Sequence, residues 1–245
     1  MDEAIAQIRV PPELDARSVA ALGEAIERAG RDLAARVLLL AGAGGIFCRG
    51  MSLDGLAASE SPDDPGTAVR GFARCLEALR FTAKPTVAIV DGETLGGGLG
   101  IAAACDLVLA TPRATFGLPE LLFGLLPAVV LPVLLERAPA QKVRLLALRA
   151  GSVPADQASD LGLADEVLPA DELPRAVRRW VRALSRPDPG GVARLKRYSA
   201  EAARLDVATG LGRGAGLTAE ALADGATLAA IRAFVDGEAL PWLTR

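Results

Sequence analysis

The sequence contains no histidine among its 245 residues. This absence excludes Ser-His-Asp and Cys-His catalysis, and it excludes every zinc site that needs an imidazole ligand. If the chain is an enzyme, its proton carrier must be a carboxylate, a tyrosine, a lysine or a cysteine. Tyrosine occurs only once, at Tyr198, so the carboxylates are the main candidates.

Cysteine is also scarce, and Cys48, Cys75 and Cys105 have apolar neighbours and no metal-ligand spacing. We expect reduced, packed thiols in a cytoplasmic protein, and no metal site. The net charge of −3 argues against a broad basic surface for nucleic acid. No apolar run reaches the roughly 18 uncharged residues that span a bilayer, and the N-terminus lacks the pattern of a secretory signal. Neither a nucleic-acid nor a membrane partner is expected.

Apolar runs that end at glycine or at polar residues predict buried strands in four segments: "RVLLLAG", "TVAIVDG", "DLVLAT" and "ATFG". Helices are predicted at 14–33, 67–82 and 96–105. Strands that are apolar throughout and alternate with helices indicate an α/β fold with parallel pairing. "LAASESPDDPG" (56–66) is typical of a mobile loop. The tail from 187 onward is helical in pattern, and "GRGAG" (212–216) is expected to be a hinge between terminal helices.

The segment "GETLGGGLG" (92–100) is the most unusual part of the chain. It lacks the Gly-Lys-Ser/Thr of a phosphate-binding loop, and its glycines do not have the dinucleotide-binding spacing. A tight strand-to-helix turn is one interpretation. The other is that bare backbone lets a carbonyl oxygen approach N–H groups at a helix N-terminus, which favours an oxyanion. "GIFCRGMSLDGL" (45–56) could supply a second donor at the same sheet edge.

These segments resemble motifs of the crotonase, or enoyl-CoA hydratase/isomerase, superfamily. The resemblance covers about residues 15–190 and is carried by four motifs in the family's order: "FCRGMSL", "KPTVAIVDGETLGGGLGIAAACDLVLAT", "ATFGLPELLFGLLP" and "ADQASDLGLADEVLP". It implies an α/β crotonase fold of repeated ββα units with parallel sheets and a C-terminal helical region. The implied division is a core domain at 1–190 and a helical trimerisation region at 191–245.

The resemblance also implies a site. The N–H groups of Met51 and Gly97 would bind a thioester oxygen, and Glu120 would be the catalytic acid and base. The substrate-pocket candidates that it implies are Gly98, Gly100, Pro119 and Phe123. No cofactor is expected, because the substrate would arrive as a phosphopantetheine or CoA thioester.

Glu120 is the only one of the family's two usual carboxylates that this chain keeps, because the position of the first is Gly100. A plain helix-terminal acid behind Pro119 is the alternative interpretation. We expect burial among leucines and Phe123 to raise the pKa of Glu120. Asp54, Glu93 or Asp91 could supply a second acid, whereas Ser52 replaces the aspartate that usually follows the first donor.

A narrower resemblance is to dehydratases of polyketide β-branching cassettes, through "ELLFGLLPAVVLP" and a tail with Pro241 and Trp242. It implies loss of water from 3-hydroxy-3-methylglutaryl on an acyl carrier protein, which gives a 3-methylglutaconyl thioester. The early loop "VPPELDARS" is poor in cations, which suits a substrate without adenosine. The candidate cations for a distal carboxylate are Arg49, Arg70, Arg74, Lys84 and Lys142.

Two alternatives stay open at the level of sequence. The chain could hydrate or isomerise acyl-CoA with the same fold and oxyanion hole, or it could be a non-catalytic scaffold that binds acyl carriers. The resemblance further implies a homotrimer or a hexamer in which C-terminal helices cover a neighbour. The apolar residues available for that contact are Leu217, Leu222, Leu228, Ile231 and Phe234.

Overall fold

A computed structural model of the chain describes residues 4–52 and 65–243. The chain divides into two compact units, Met1–Ser185 and Arg186–Arg245. The predicted loop at 56–66 lies almost entirely outside the described residues.

The first unit holds strands and helices in alternation. Its described strands are β1 (Ile5–Arg9), β2 (Val37–Ala41), β3 (Ile46–Cys48), β4 (Thr86–Val90), β5 (Glu93–Leu95), β6 (Leu107–Ala110), β7 (Thr115–Gly117), β8 (Ser152–Pro154) and β9 (Glu166–Val167). Its described α-helices are α1 (Ala16–Arg31), α2 (Pro65–Phe81), α3 (Gly97–Ala104), α4 (Leu131–Arg137), α5 (Ala140–Arg149), α6 (Ala155–Leu161) and α7 (Leu173–Leu184).

The strands form two sheets. The order β1-β2-β4-β6-β9 makes a five-stranded sheet in which every pair is parallel. The order β3-β5-β7-β8 makes a second sheet, parallel except for the last pair. Each of β2, β4 and β6 is thus followed by a short strand of the other sheet, which confirms the α/β fold of ββα units with parallel pairing.

Apolar sequence explains the long strands. All but the last residue of β2 and all of β6 are buried, as expected for parallel strands covered on both faces. The three-residue strands β3 and β5 are not among the predicted elements, although β7, which is equally short, is. After each of the long strands β2 and β4, the chain enters the second sheet as a short strand before the next helix begins. The turns that hold Met51 and Gly97 therefore follow β3 and β5 rather than β2 and β4.

Lys84, one of the cations predicted to bind a substrate carboxylate, instead stabilises the C-terminal end of helix α1. Asp15 caps its start by accepting from the Ser18 N–H at 2.6 Å. At its other end, the buried ammonium group of Lys84 donates to the carbonyls of Ala29, at 2.8 Å, and Asp32. Lys84 therefore satisfies helix carbonyls that would otherwise lack a partner.

The second unit is helical, with α8 (Pro189–Ala202), α9 (Val207–Ala223) and α10 (Gly225–Val235). The predicted hinge at 212–216 is wrong, because α9 runs straight through it. Gly214 serves close packing instead: a Cβ there would lie 2.8 Å from the Tyr198 hydroxyl oxygen. The break comes later, at Asp224, whose carboxylate accepts from the Thr227 N–H and caps α10.

The remaining sequence expectations concern the cysteines, membrane-spanning helices and metal sites. All three cysteines are unpaired and buried, as predicted. No described helix combines the length and apolarity that crossing a membrane requires. Within residues 4–52 and 65–243, no cluster of side chains has the composition of a metal site.

Candidate active site

Three parallel strands of the second sheet bring the predicted site segments together. β3, β5 and β7 are adjacent and parallel, so their carboxyl ends meet at one edge. Met51 follows the first strand, Gly97 the second and Glu120 the third. The sheet order therefore places both predicted donors and the predicted acid on neighbouring turns.

The backbone around Met51 turns its amide away from Leu14. Leu14 forms a parallel bridge with Met51: its N–H donates to the Gly50 carbonyl at 2.8 Å, and its carbonyl accepts from the Ser52 N–H at 2.9 Å. In such a bridge the opposed residue turns its own N–H and C=O away from the partner strand. The Met51 N–H is therefore available to a ligand.

Gly97 supplies the second amide. It is the first residue of α3, so its N–H has no carbonyl partner within the helix. A Cβ on Gly50 would lie 2.9 Å from the Gly97 nitrogen, and Gly50 has a φ of 85°. Gly50 therefore permits both the left-handed turn and the close approach that bring the Met51 and Gly97 segments together.

Glu120 is held against the same turn. It opens a short 3₁₀ turn, Glu120–Phe123, immediately after Pro119. Its Oε1 lies 2.9 Å from the point where a Cβ on Gly96 would stand. Its Oε2 is buried and finds no hydrogen-bond partner among the described residues. Burial raises the pKa of Glu120 above its ordinary value of 4.5.

The surroundings of Glu120 match the sequence expectation only in part. Leu118 is buried, but Leu122 and Phe123 are 68% and 52% exposed, and Leu121 is exposed as well. Oε1 of Glu120 also lies close to the backbone of Gly96. The direction of the pKa shift is as predicted.

These groups share one cavity of about 470 Å³. The described residues that line it are Arg49, Gly50, Met51, Val69, Phe72, Gly96, Gly97, Pro119, Glu120, Phe123, Leu125, Leu126, Pro127, Ala128, Val129 and Val130. Glu120 and Arg49 are the charged side chains among them, so the wall is apolar around a single acid. Such a cavity suits an acyl chain whose reactive end lies at the two amides.

Two of the predicted pocket residues do not line this cavity. A Cβ on Gly98 would lie 2.0 Å from the Cys48 carbonyl oxygen, and one on Gly100 would lie 2.4 Å from Cγ1 of Val130. Both glycines are therefore required by the packing of α3 against its neighbours, and not by contact with a ligand. Pro119 and Phe123 do line the cavity.

Sequence reasoning did not single out the apolar wall at 125–130. The signal was present, since this wall lies within the run "ELLFGLLPAVVLP" that marks the narrower resemblance. Phe72 and Val69 of α2 have no comparable signal, because only the tertiary fold brings them to the cavity.

The other predicted acids are engaged elsewhere or lie outside the described residues. Glu93 forms an ion pair with Arg49 at 2.6 Å. Asp91 accepts from Arg113 and from Thr111, and these bonds hold the pKa of Asp91 below its ordinary value. Neither carboxylate lines the cavity. Asp54 falls in the segment 53–64, which the structure does not describe.

Of the cations predicted for a distal carboxylate, Arg49 alone lines the cavity in the described part of the chain. Lys84 is committed to helix α1, and Lys142 donates to the Asp160 carbonyl at 2.8 Å. Arg70 donates to the Thr67 hydroxyl at 3.1 Å. Arg49 is therefore the candidate cation at the cavity, although its guanidinium group is paired with Glu93 at 2.6 Å.

Comparison with known proteins identifies the family of the chain. The sequence model of the family described as enoyl-CoA hydratase/isomerase matches residues 3–242. A carnitinyl-CoA dehydratase from Proteus mirabilis is 31% identical over 203 residues, which are 80% of this chain and 76% of that protein.

Solved structures show the same similarity. AtuE from Pseudomonas aeruginosa is 28% identical, with a TM-score of 0.88 that covers 98% of this chain and 96% of that chain. An enoyl-CoA hydratase/isomerase from Marinobacter aquaeolei is 25% identical, with a TM-score of 0.86 over 98% and 96% of the two chains.

Proposed function

The chain belongs to the enoyl-CoA hydratase/isomerase family, and we propose that it is a hydro-lyase that removes water from a 3-hydroxyacyl thioester. One observation carries the proposal. The buried Oε2 of Glu120, which has no hydrogen-bond partner among the described residues, belongs to a side chain that lines the same cavity as Met51 and Gly97. A buried carboxylate oxygen without a hydrogen bond is costly, so a catalytic use accounts for its retention.

The two amides act on the thioester oxygen. Hydrogen bonds from the N–H groups of Met51 and Gly97 stabilise the negative charge that develops there as the C2–H bond breaks. The dipole of α3 adds to this effect, because Gly97 is at its N-terminus. Such donors typically contribute about 10²–10³ in rate each.

Glu120 moves the proton. Its carboxylate takes the proton from C2, and the electron pair of that bond forms the C2–C3 double bond as the C3–O bond breaks. The same carboxyl group then gives the proton to the departing hydroxyl, which leaves as water. The raised pKa of Glu120 suits both roles, since the group must accept and release a proton in one turnover.

The carrier and the acyl chain are a finer part of the proposal. The carnitinyl-CoA dehydratase named above acts, by its name, on a CoA thioester, which supports acyl-CoA as the carrier. The narrower sequence resemblance favours 3-hydroxy-3-methylglutaryl on an acyl carrier protein. Arg49 at the cavity is the group that would meet the distal carboxylate of that substrate.

The second candidate function is movement of a double bond within an acyl-CoA. Glu120 would then take a proton from C2 and return it to C4, and no water would leave. A single carboxylate on an apolar cavity also fits this reaction. The two reactions give different products from different substrates, so one assay separates them.

The test is mass spectrometry on three parallel substrates. These are 3-hydroxy-3-methylglutaryl on a carrier protein, the same acyl group on CoA, and a 3-enoyl-CoA. We expect loss of one water from a 3-hydroxyacyl thioester, absent with Glu120→Gln and retained with Glu136→Gln, a carboxylate paired with Arg80 outside the cavity. Asp54→Asn tests the remaining second acid, and we expect it to retain turnover.

Each outcome has a meaning. Water loss from one thioester alone identifies the carrier. Isomerisation of the 3-enoyl-CoA without water loss supports the second candidate. Binding of all three without turnover contradicts catalysis and supports a scaffold. Full turnover by Glu120→Gln refutes the assigned role of Glu120.

A further inference from the structure

Val130 occupies the space beside Gly100, the position at which the family resemblance implies a first carboxylate. A Cβ on Gly100 would lie 2.4 Å from Cγ1 of Val130 and 3.0 Å from its Cβ. Val130 is only 3% exposed, yet it lines the same cavity as Glu120. The valine therefore crowds any side chain at position 100, and it forms part of the cavity wall.

The position of Val130 is fixed by its backbone. Its N–H donates to the Pro127 carbonyl at 3.3 Å, and its carbonyl accepts from the Leu134 N–H at 3.2 Å at the start of α4. A β-branched side chain has few χ1 positions, and the contact with Gly100 restricts it further. Val130 is thus a part of the wall with few side-chain conformations.

The cavity wall around Val130 offers no side-chain hydrogen bond to water or to a hydroxyl group. Val129, Ala128 and Leu126 line the cavity beside it, and none of these side chains carries a hydrogen-bonding group. A polar substituent buried there would lose its hydrogen bonds to water, whereas an alkyl group would gain contact area.

We propose that Val130 determines substrate specificity by contacting an alkyl substituent on C3 of the substrate. The preferred substrates are then 3-hydroxyacyl thioesters that carry a second carbon substituent at C3. This inference rests on the proposed dehydration.

The experiment compares two thioesters that differ by one methyl group, 3-hydroxybutyryl-CoA and 3-hydroxy-3-methylbutyryl-CoA. A methyl group in a fitted apolar pocket is worth about 10–200-fold in kcat/KM. We expect wild type to prefer the 3-methyl substrate, and we expect Val130→Ala to reduce that ratio about 10-fold. Val130→Thr, which keeps the shape and adds a hydroxyl group, reduces it too.

Leu76→Ala is the matched control. Cδ1 of Leu76 lies 3.6 Å from the same Cβ position on Gly100, and the side chain is buried but does not line the cavity. This variant disturbs the packing around Gly100 and should leave the ratio unchanged. Melting curves of all variants identify any that fail to fold. If Val130→Ala does not fold, Val130→Thr is compared with wild type in its place.

The outcomes separate this inference from the proposed function. An active wild type whose ratio is unchanged in Val130→Ala and Val130→Thr overturns the role of Val130. An active wild type that prefers 3-hydroxybutyryl-CoA overturns it as well. If wild type dehydrates neither these nor the carrier-bound substrate, the proposed function fails and this inference fails with it.

Discussion

Oε1 of Glu120 lies 2.9 Å from the point at which a Cβ on Gly96 would stand. The proposed catalytic acid thus lies against the backbone of the glycine that precedes the proposed donor Gly97. The glycine at 96 also has a φ of 52° and a ψ of −117°, a conformation that other residues rarely adopt. Gly96 therefore determines both the conformation of the turn and the space that the Glu120 carboxylate occupies.

Gly96→Ala should displace Glu120 from the cavity. The new methyl group needs the space of Oε1, and the strained backbone adds about 1–3 kcal/mol of destabilisation. A shift of the carboxylate of about 1 Å is expected to lower kcat roughly 10²-fold. Steady-state kinetics and urea unfolding measure the two effects, and wild-type kcat in Gly96→Ala would show that the carboxylate does not depend on this contact.

The pH dependence of stability should report the buried carboxylate. Because burial raises the pKa of Glu120 above 4.5, the folded state binds this proton more tightly than the unfolded state. Its contribution to stability is therefore complete below pH 4.5 and is lost as pH rises through the raised pKa.

Urea unfolding of wild type and Glu120→Gln across this pH range isolates that contribution. We expect the variant to gain stability relative to wild type as pH rises, because glutamine cannot ionise. The acid limb of the wild-type kcat/KM profile should also lie above 4.5. A stability difference that does not change with pH would argue against a raised pKa.

Gly100 and Val130 should be strongly coupled in stability. Gly100→Ala places a methyl group 2.4 Å from Cγ1 of Val130, and overpacking of this kind costs about 1–3 kcal/mol. Val130→Ala removes the obstructing methyl groups, so the double variant should recover part of that cost. A double-mutant cycle measured by urea unfolding gives the coupling, and additive effects would mean that the two side chains do not compete for space.

Two glycines of α9 provide a matched pair in the second unit. Gly212 has open space around its Cβ position, so Gly212→Ala should raise the free energy of unfolding by about 1 kcal/mol. At Gly214 the new methyl group would meet the Tyr198 hydroxyl, which donates to the Gly210 carbonyl at 2.6 Å. Gly214→Ala should therefore be about 1 kcal/mol less favourable than Gly212→Ala, and equal thermal shifts would contradict this packing.

The sequence predicted those elements whose pattern is local. The strands at Val37–Ala41, Thr86–Val90 and Leu107–Ala110 are apolar runs, and the helix at Ala16–Arg31 has an apolar face. The strands at Ile46–Cys48 and Glu93–Leu95, with three residues each, were not predicted. These segments form strands because they pair with each other, and Glu93–Leu95 also pairs with Thr115–Gly117.

Some features of the candidate site could likewise be predicted from the sequence, and others could not. Glu120 and the glycine turn are visible in the sequence because the residue types themselves are unusual in those places. The contact of Gly100 with Val130 is not visible, because the two residues come from different helical segments that only the fold brings together. The expected hinge at 212–216 failed because Gly214 is required by Tyr198, and glycine content alone does not distinguish a break from close packing.

The exposed apolar residues of the second unit leave the oligomer prediction open. Leu222, Leu228, Ile231 and Phe234 are exposed within that unit, whereas Leu217 is half-buried. Such a surface is compatible with the trimer or hexamer that the family resemblance implies. Sedimentation analysis of the full chain would measure the assembly directly.

Exchange of the C2 proton in D₂O tests the central claim most directly, because it needs only the oxyanion site and the base. An acyl-CoA substrate analogue without a leaving group at C3 is incubated with enzyme, and NMR follows loss of the C2 proton signal. We predict that wild type catalyses the exchange and that Glu120→Gln slows it by about 10²–10⁴. Exchange at the wild-type rate in Glu120→Gln, or none in wild type, would contradict the account.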